Sequence, residues 1–180
     1  MMYSEEILKE LETAVSAVKE EELLALADGL QKAEKIFCDG LGRSGLVCRA
    51  FAMRLMHLGM QSCCVGDTVT TAIGEKDLLL LCSGSGESKA LISHAGKARD
   101  KGAKIALITG NPESTLSRMA DIRILIPAPK KEEAGTASVL PMGTLFEGTA
   151  ALIFENLVLE LMKQRNETTK TMFLRHANLE

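Results

Sequence analysis

Tryptophan is absent from this 180-residue chain, and aromatic residues make up only 3% of it. Platforms for stacked bases need aromatic side chains, and nucleic-acid surfaces need a basic face. With 21 Lys and Arg against 24 Asp and Glu, the net charge is −3. That balance excludes a nucleic-acid surface and leaves room for a small anionic ligand. No apolar run approaches the roughly 20 residues that cross a bilayer. The acidic, amphipathic N-terminus also lacks the basic-then-apolar order of a secretory signal. A cytoplasmic protein with neither a membrane nor a nucleic-acid partner is expected.

A metal centre has no support either. The five cysteines (Cys38, Cys48, Cys63, Cys64, Cys82) are odd in number, contain no C-x-x-C pair and lie mostly within apolar runs. They read as reduced, buried thiols. Cys63 and Cys64 are adjacent, so on a strand they face opposite ways. His57, His94 and His176 have no metal-ligand spacing, and His94, carrying no motif, reads as a surface residue.

What the chain does have is 46% hydrophobic residues, enough for one substantial core at this length. Five β-type runs stand out: KIFCDG (35–40), QSCCVG (61–66), DLLLLCS (77–83), KIALITG (104–110) and DIRILIP (121–127). Most are apolar on both faces, as strands of a covered parallel sheet must be. Helical patterns fill 4–33 (two helices, with Ser4 as cap and a break near Gly29), 44–58, 86–101, 112–119 with Pro112 in its first turn, 142–165 opened by Pro141, and 167–176. The polar, small-residue stretch 128–139 reads as the flexible segment. Alternating strand and helix predicts an α/β layered sheet with right-handed crossovers.

Two loops carry the chemistry. DGLGRSG places Gly40, Gly42 and Gly45 as G-x-G-x-x-G after the first strand, with Asp67 about twenty residues on. That outlines a dinucleotide fingerprint. Only about ten residues, DTVTTAIGEK, then separate strands two and three. This is too short for the helix a dinucleotide fold puts there, which counts against a dehydrogenase. The third strand ends in SGSGES, where Ser83, Ser85 and Ser88 wrap a tight turn before a helix. Hydroxyls and helix-start amides together make a cradle for phosphate without Lys. If strand order reverses between the two loops, Ser44 reaches the same ligand, and Arg43 is placed to meet sugar oxygens or phosphate.

Glu147 heads one face of the helix after Pro141, followed by Ala150, Ala151, Phe154, Val158 and Leu161. Burying a carboxylate there is costly without a purpose, which marks Glu147 as a candidate general base. His57, in MRLMHLG, reads equally as a core or interface histidine or as a functional one. The helices at both ends of the chain present apolar faces beyond what one small sheet needs, which points to a homo-oligomer.

GLGRSG and SGSGES, together with RSGLVCRAFAMRLMHLG, VGDTVT, ITGNPESTL, LPMGTLFE and the terminal RHANLE, resemble the sugar isomerase (SIS) domain and, within it, the 6-phospho-3-hexuloisomerase family. The likeness runs from residue 36 to 180. It implies a five-stranded parallel sheet with helices on both faces, in flavodoxin-like strand order, with extra N- and C-terminal helices. One SIS domain would then fill 1–180, with N-terminal helices in 1–34, the sheet core in 35–127 and C-terminal helices in 141–180. The substrate implied is a phosphosugar held by Arg43, Ser44, Ser83, Ser85 and Ser88, with Asp67 and Thr68 at the same site. Glu147 would be the base, and His176, from its own or a neighbouring subunit, would move protons, with His57 as a further candidate. The resemblance also implies no metal or organic cofactor, a homotetramer, and a place in the ribulose monophosphate pathway of formaldehyde fixation. Other phosphosugar isomerases on this domain, such as one acting on arabinose 5-phosphate, and non-catalytic sugar-phosphate sensors remain as alternatives.

Overall fold

The computed structural model of the chain describes residues 2–128 and 138–179. Most of the segment expected to be flexible, 128–139, lies outside the described residues. The five apolar runs form β1 (Ile36–Gly40), β2 (Ser62–Cys64), β3 (Leu78–Cys82), β4 (Lys104–Thr109) and β5 (Ile122–Leu125). They pair in parallel, in the order β2-β1-β3-β4-β5. This is the five-stranded α/β sheet and flavodoxin-like order that the sequence led us to expect.

Both faces are covered because the pleat sends alternate residues opposite ways. On β3, Leu78, Leu80 and Cys82 join one core cluster, while Leu79 and Leu81 join the other. The first cluster is closed by α2 (Glu20–Lys32), α3 (Gly42–His57) and α6 (Thr144–Gln164), and the second by α4 (Lys89–Asp100) and α5 (Thr115–Met119). Cys48, Phe51, Ala52 and Leu55 form the buried stripe of α3, at the spacing of one helical face. Phe51 stacks on Phe154 of α6 with ring centroids 4.3 Å apart, a pairing worth about 0.5–1.5 kcal/mol beyond its area. The helix α1 (Ser4–Ser16) packs on α6, and α7 (Thr169–Phe173) follows it. Among the described residues no helix is long and apolar enough to cross a membrane.

The short link between β2 and β3 has no helix. It still steps over β1, and it seals the second cluster with Val65 and Ile73 in place of a helix. Thr70 braces it by donating from both its N–H and its hydroxyl, to Asp67 O and Cys64 O.

Several boundaries differ from the sequence expectation, each for a local reason. Ser4 is the first residue of α1 rather than its cap; Tyr3 holds that position without a side-chain bond. The break between the first two helices falls before Glu20, not near Gly29. Gly29 lies inside α2, where the missing side chain leaves room for the end of the Ile122 side chain of β5. Helix α4 starts at Lys89, since residues 83–88 are spent on the loop, and α5 starts at Thr115 under a Ser114 cap, leaving Pro112 in the preceding loop. Pro141 opens a 3-10 turn, Pro141–Gly143, and α6 proper begins at Thr144. The last helix is shorter than the 167–176 pattern, running Thr169–Phe173 behind a Thr168–Thr171 capping box.

Candidate active site

In the observed order, β1 lies between β2 and β3, so the chain leaves β1 and β3 on opposite sides of one crevice at their carboxyl ends. Ligands of open parallel sheets bind at such a switch point. A cleft of about 370 Å³ opens there, lined by Leu41 and Ser44 after β1, Cys82 through Ser85 after β3, and Phe146 and Glu147 from α6, among others.

The G-x-G-x-x-G spacing serves close packing here. A Cβ on Gly45 would overlap the carbonyl of Gly40, so the glycines let the first turn of α3 press against the end of β1. This brings the start of α3 to the cleft. Leu41 and Ser88 are the N-cap residues of α3 and α4, and neither helix start has a side-chain cap bond or an acidic residue in its first turn. By contrast, α1 and α2 carry two and three glutamates there. Two helix starts with uncompensated amides thus border one cleft, and their dipoles favour an anion.

The serines of the second loop are set for donation. Ser83 Oγ accepts from Gly86 N–H at 3.2 Å, and Ser85 Oγ accepts from Glu87 N–H at 3.4 Å. Each hydroxyl therefore keeps its own proton to give to a ligand. Ser83 is buried, Ser44 and Ser88 are half-buried and Ser85 is exposed.

Glu147 is more deeply placed than the half-burial expected from its helix face, at 8% exposure. The sequence reading left it without a charge partner, and the structure supplies Arg43. Arg43 Nε forms an ion pair with Glu147 Oε1, while its other nitrogens donate to Thr144 Oγ1 at 3.2 Å and Met142 O at 2.7 Å. Met142 has φ 56°, a left-handed conformation rare for such a side chain. The turn before α6 is thereby bent to present both its carbonyl and Glu147 to one guanidinium. Arg43 itself is not among the residues lining the cleft and lies beside it, paired with Glu147.

Four other expected residues lie away from this cleft. Asp67 pairs with Arg49 at 2.8 Å in the β2–β3 link, and neither Asp67 nor Thr68 lines the cleft. His57 closes the far end of α3, about 20 Å along the helix from Ser44 at 1.5 Å per residue. There it stacks on His176, ring centroids 5.4 Å apart, and His176 also stacks with Phe173 at 6.0 Å. Burial first, then the neighbouring His176 and Arg54, lower the His57 pKa below the ordinary histidine value. Arg175 holds the arrangement by donating to His57 O at 2.9 Å and gripping Glu167 with two nitrogens at 2.9 and 3.0 Å. The structure therefore gathers Ser44, Ser83, Ser85, Ser88 and Glu147, and separately His57 with His176.

Two features escaped the sequence reading. His94 is not an isolated surface residue; its Nδ1 lies 2.7 Å from the buried carboxylate of Asp39. Asn111, in the cleft lining, donates to Ser85 O at 3.2 Å. Its signal was the Asn-Pro pair, which favours a turn.

A parallel sheet whose switch-point cleft combines hydroxyl donors, two helix starts and one buried carboxylate defines a binding domain for phosphorylated small molecules. The chain belongs to the SIS domain family, whose pattern spans residues 29–153. It is 41% identical to a 3-hexulose-6-phosphate isomerase of Bacillus subtilis, over 99% of this chain and 97% of that protein. It is 38% identical to a 3-hexulose-6-phosphate isomerase of Mycobacterium gastri, over 95% and 86%. Its fold superposes with a TM-score of 0.87 on a Methanococcus jannaschii protein at 34% identity, covering all of both chains. That crystal structure was taken to infer a 3-hexulose-6-phosphate isomerase function.

Proposed function

We propose that this protein is a 3-hexulose-6-phosphate isomerase that interconverts its substrate with fructose 6-phosphate through an enediol. The observation that carries the reading is a buried carboxylate, Glu147, opening on the same cleft as the serine loop and two uncapped helix starts. Full-length relatives of that name support it. The phosphate anchors on Ser44, Ser83, Ser85 and Ser88, and this remote binding orients the reacting carbons. The C3 carbonyl acidifies the C2 hydrogen. Glu147 takes that proton, giving the 2,3-enediol, and returns it at C3 as the carbonyl forms at C2. A proton meanwhile passes from the C2 oxygen to the C3 oxygen, the role assigned to His176 with His57 beside it. Arg43 holds the Glu147 carboxylate in place.

The histidines lie too far from the serines to act on the same ligand within one chain, so they act at a partner's cleft. Assembly is supported by exposed apolar residues on α3 (Leu46, Met53, Met56) and α6 (Leu152, Leu159). A homotetramer in the cytoplasm, working as one domain over the whole chain within ribulose-monophosphate formaldehyde fixation, completes the reading. Asp67 and Thr68 belong to the same proposal as groups completed by assembly rather than by the cleft itself.

The test is turnover of fructose 6-phosphate in deuterium oxide by wild type and Glu147→Gln. Wild type incorporates deuterium at C3 because the proton on a carboxylate exchanges with solvent. Gln keeps the shape and cannot take the proton, so activity falls on the order of a hundred- to ten-thousand-fold while the sugar phosphate still binds. Near-normal activity of Glu147→Gln removes Glu147 from the role. Turnover of arabinose 5-phosphate instead would reassign the substrate.

A further inference from the structure

The serine loop is not shaped by its internal bonds alone. The carbonyls of Gly84, Ser85 and Gly86 are all occupied by donors from residues 109–116, which run from the end of β4 into the first turn of α5. Gly110 N–H and Thr109 Oγ1 reach Gly84 O at 3.0 and 3.3 Å, Asn111 Nδ2 reaches Ser85 O at 3.2 Å, and Leu116 N–H reaches Gly86 O at 3.1 Å. Gly86 itself, with φ 65°, sits so close to Ser114 that a Cβ would overlap its Oγ. The loop is therefore moulded against residues 109–116.

Glu87 stands out in this arrangement. It lies at the rim of a cleft that otherwise favours an anion, where a carboxylate has the wrong sign unless it is used. It is used: Glu87 Oε1 accepts from Thr115 N–H at 2.7 Å. That bond, the Thr115 side chain and the charge of Arg118 hold the Glu87 carboxyl below the usual carboxylate range. The residue that follows is Ser88, the N-cap residue of helix α4.

We propose that Glu87 is a positioning residue for the phosphate cradle, latching the serine loop to the first amide of α5 so that Ser83, Ser85 and Ser88 converge on one ligand. It touches no substrate atom, and its negative charge is incidental to the task. The inference rests on the phosphosugar reading above and deepens it.

Calorimetric titration with inorganic phosphate and with fructose 6-phosphate tests it, alongside thermal melts that verify folding. Glu87→Ala weakens both ligands about tenfold, the size of one net hydrogen bond. Glu87→Gln, which keeps an acceptor oxygen and loses the charge, recovers most of that affinity. Thr115→Pro removes the donor from the other side. Proline suits a first helical position, and Ser114 already has the extended backbone (φ −69°, ψ 163°) required before it. Its loss matches that of Glu87→Ala, and the double variant is no weaker than either single one. In turnover, KM rises and kcat holds. Wild-type affinity in Glu87→Ala, additive losses in the double variant, or a Gln variant as weak as Ala would each overturn the latch while leaving the phosphosugar reading intact. A wild type that binds neither ligand overturns both.

Discussion

Arg43 and Glu147 meet at the edge of the cleft, one from the first turn of α3 and the other from the first turn of α6. The guanidinium is half exposed and the carboxylate is nearly enclosed, with side-chain exposures of 50% and 11%. The pair is therefore lopsided: removing the arginine strands a buried charge, while removing the carboxylate frees an arginine that water can reach.

This asymmetry sets the first prediction. Arg43→Met should lower unfolding stability by about 1–2 kcal/mol, between the values for exposed and buried pairs. Glu147→Gln should cost less, and the double variant should regain part of the loss. Urea unfolding of the four proteins gives the cycle. Equal losses in both single variants, or simple additivity, would mean the two side chains do not support each other.

Ser83 is the loop hydroxyl that is buried, and its oxygen is already engaged by Gly86 N–H. Ser83→Ala removes a donor to the ligand and an acceptor within the loop at once. Affinity for fructose 6-phosphate should drop by about 1–3 kcal/mol, the range for a hydrogen bond to a charged group. Titration against Ser85→Ala, whose hydroxyl is exposed, should show the smaller change at position 85. A silent Ser83→Ala would move the phosphate out of this loop.

The C-terminal segment carries its own pH signature. The Glu167 carboxyl is pushed from 4.5 down to about 2, first by hydrogen bonds from Arg175 and Thr171 and then by the Arg175 charge. A carboxylate depressed on folding contributes above its unfolded pKa and loses that contribution as pH falls through the folded value. The protection factors of the amides of Arg175 and His176, whose N–H groups close the turn after α7, taken against the intrinsic exchange rate at each pH, should therefore hold above about pH 4.5 and fall as pH drops toward 2. In Glu167→Gln that pH-dependent fall should vanish, with protection already low near neutrality. Unchanged protection in the Gln variant would show that α7 is held by something other than this ion pair.

The strands and the cleft loops were legible because they rest on local signals, whereas the strand order came only through the family resemblance, since pairing across the sheet leaves no local mark. Alternating apolar runs such as LLLLC, and glycine-serine turns directly after strands, carry their meaning in sequence. Helix starts were less legible. Thr115 opens α5 instead of Pro112 because Ser114 caps it and because the residues before it are needed to shape the serine loop. Likewise Asp39 with His94, and Arg43 with Glu147, are pairs made by the fold across 55 and 104 positions of chain. Nothing local in either sequence neighbourhood marks them. Glu147 was readable as a buried carboxylate from its helix face, but its counter-charge was not.

The separation along α3 yields the last prediction. Ser44 lies at one end of this helix and His57 at the other, about 20 Å apart. A six-carbon sugar phosphate cannot bridge that gap, so a cleft using both the serines and a histidine must take the histidine from another copy. Glu147→Gln and His176→Ala then disable different halves of a shared site. Each protein alone should be impaired, the first more severely. Co-expressed in equal amounts, they should form mixed oligomers in which roughly a quarter of the sites draw an intact Glu147 from one chain and an intact His176 from another, by random assortment in a symmetric assembly. Turnover should rise well above the average of the two separate variants, and only when the chains are assembled together, not when finished oligomers are mixed briefly. If the histidine acted within its own chain, no mixture could unite the two intact groups, and activity would stay at the average. That result would exclude a histidine supplied to the cleft by a neighbouring copy.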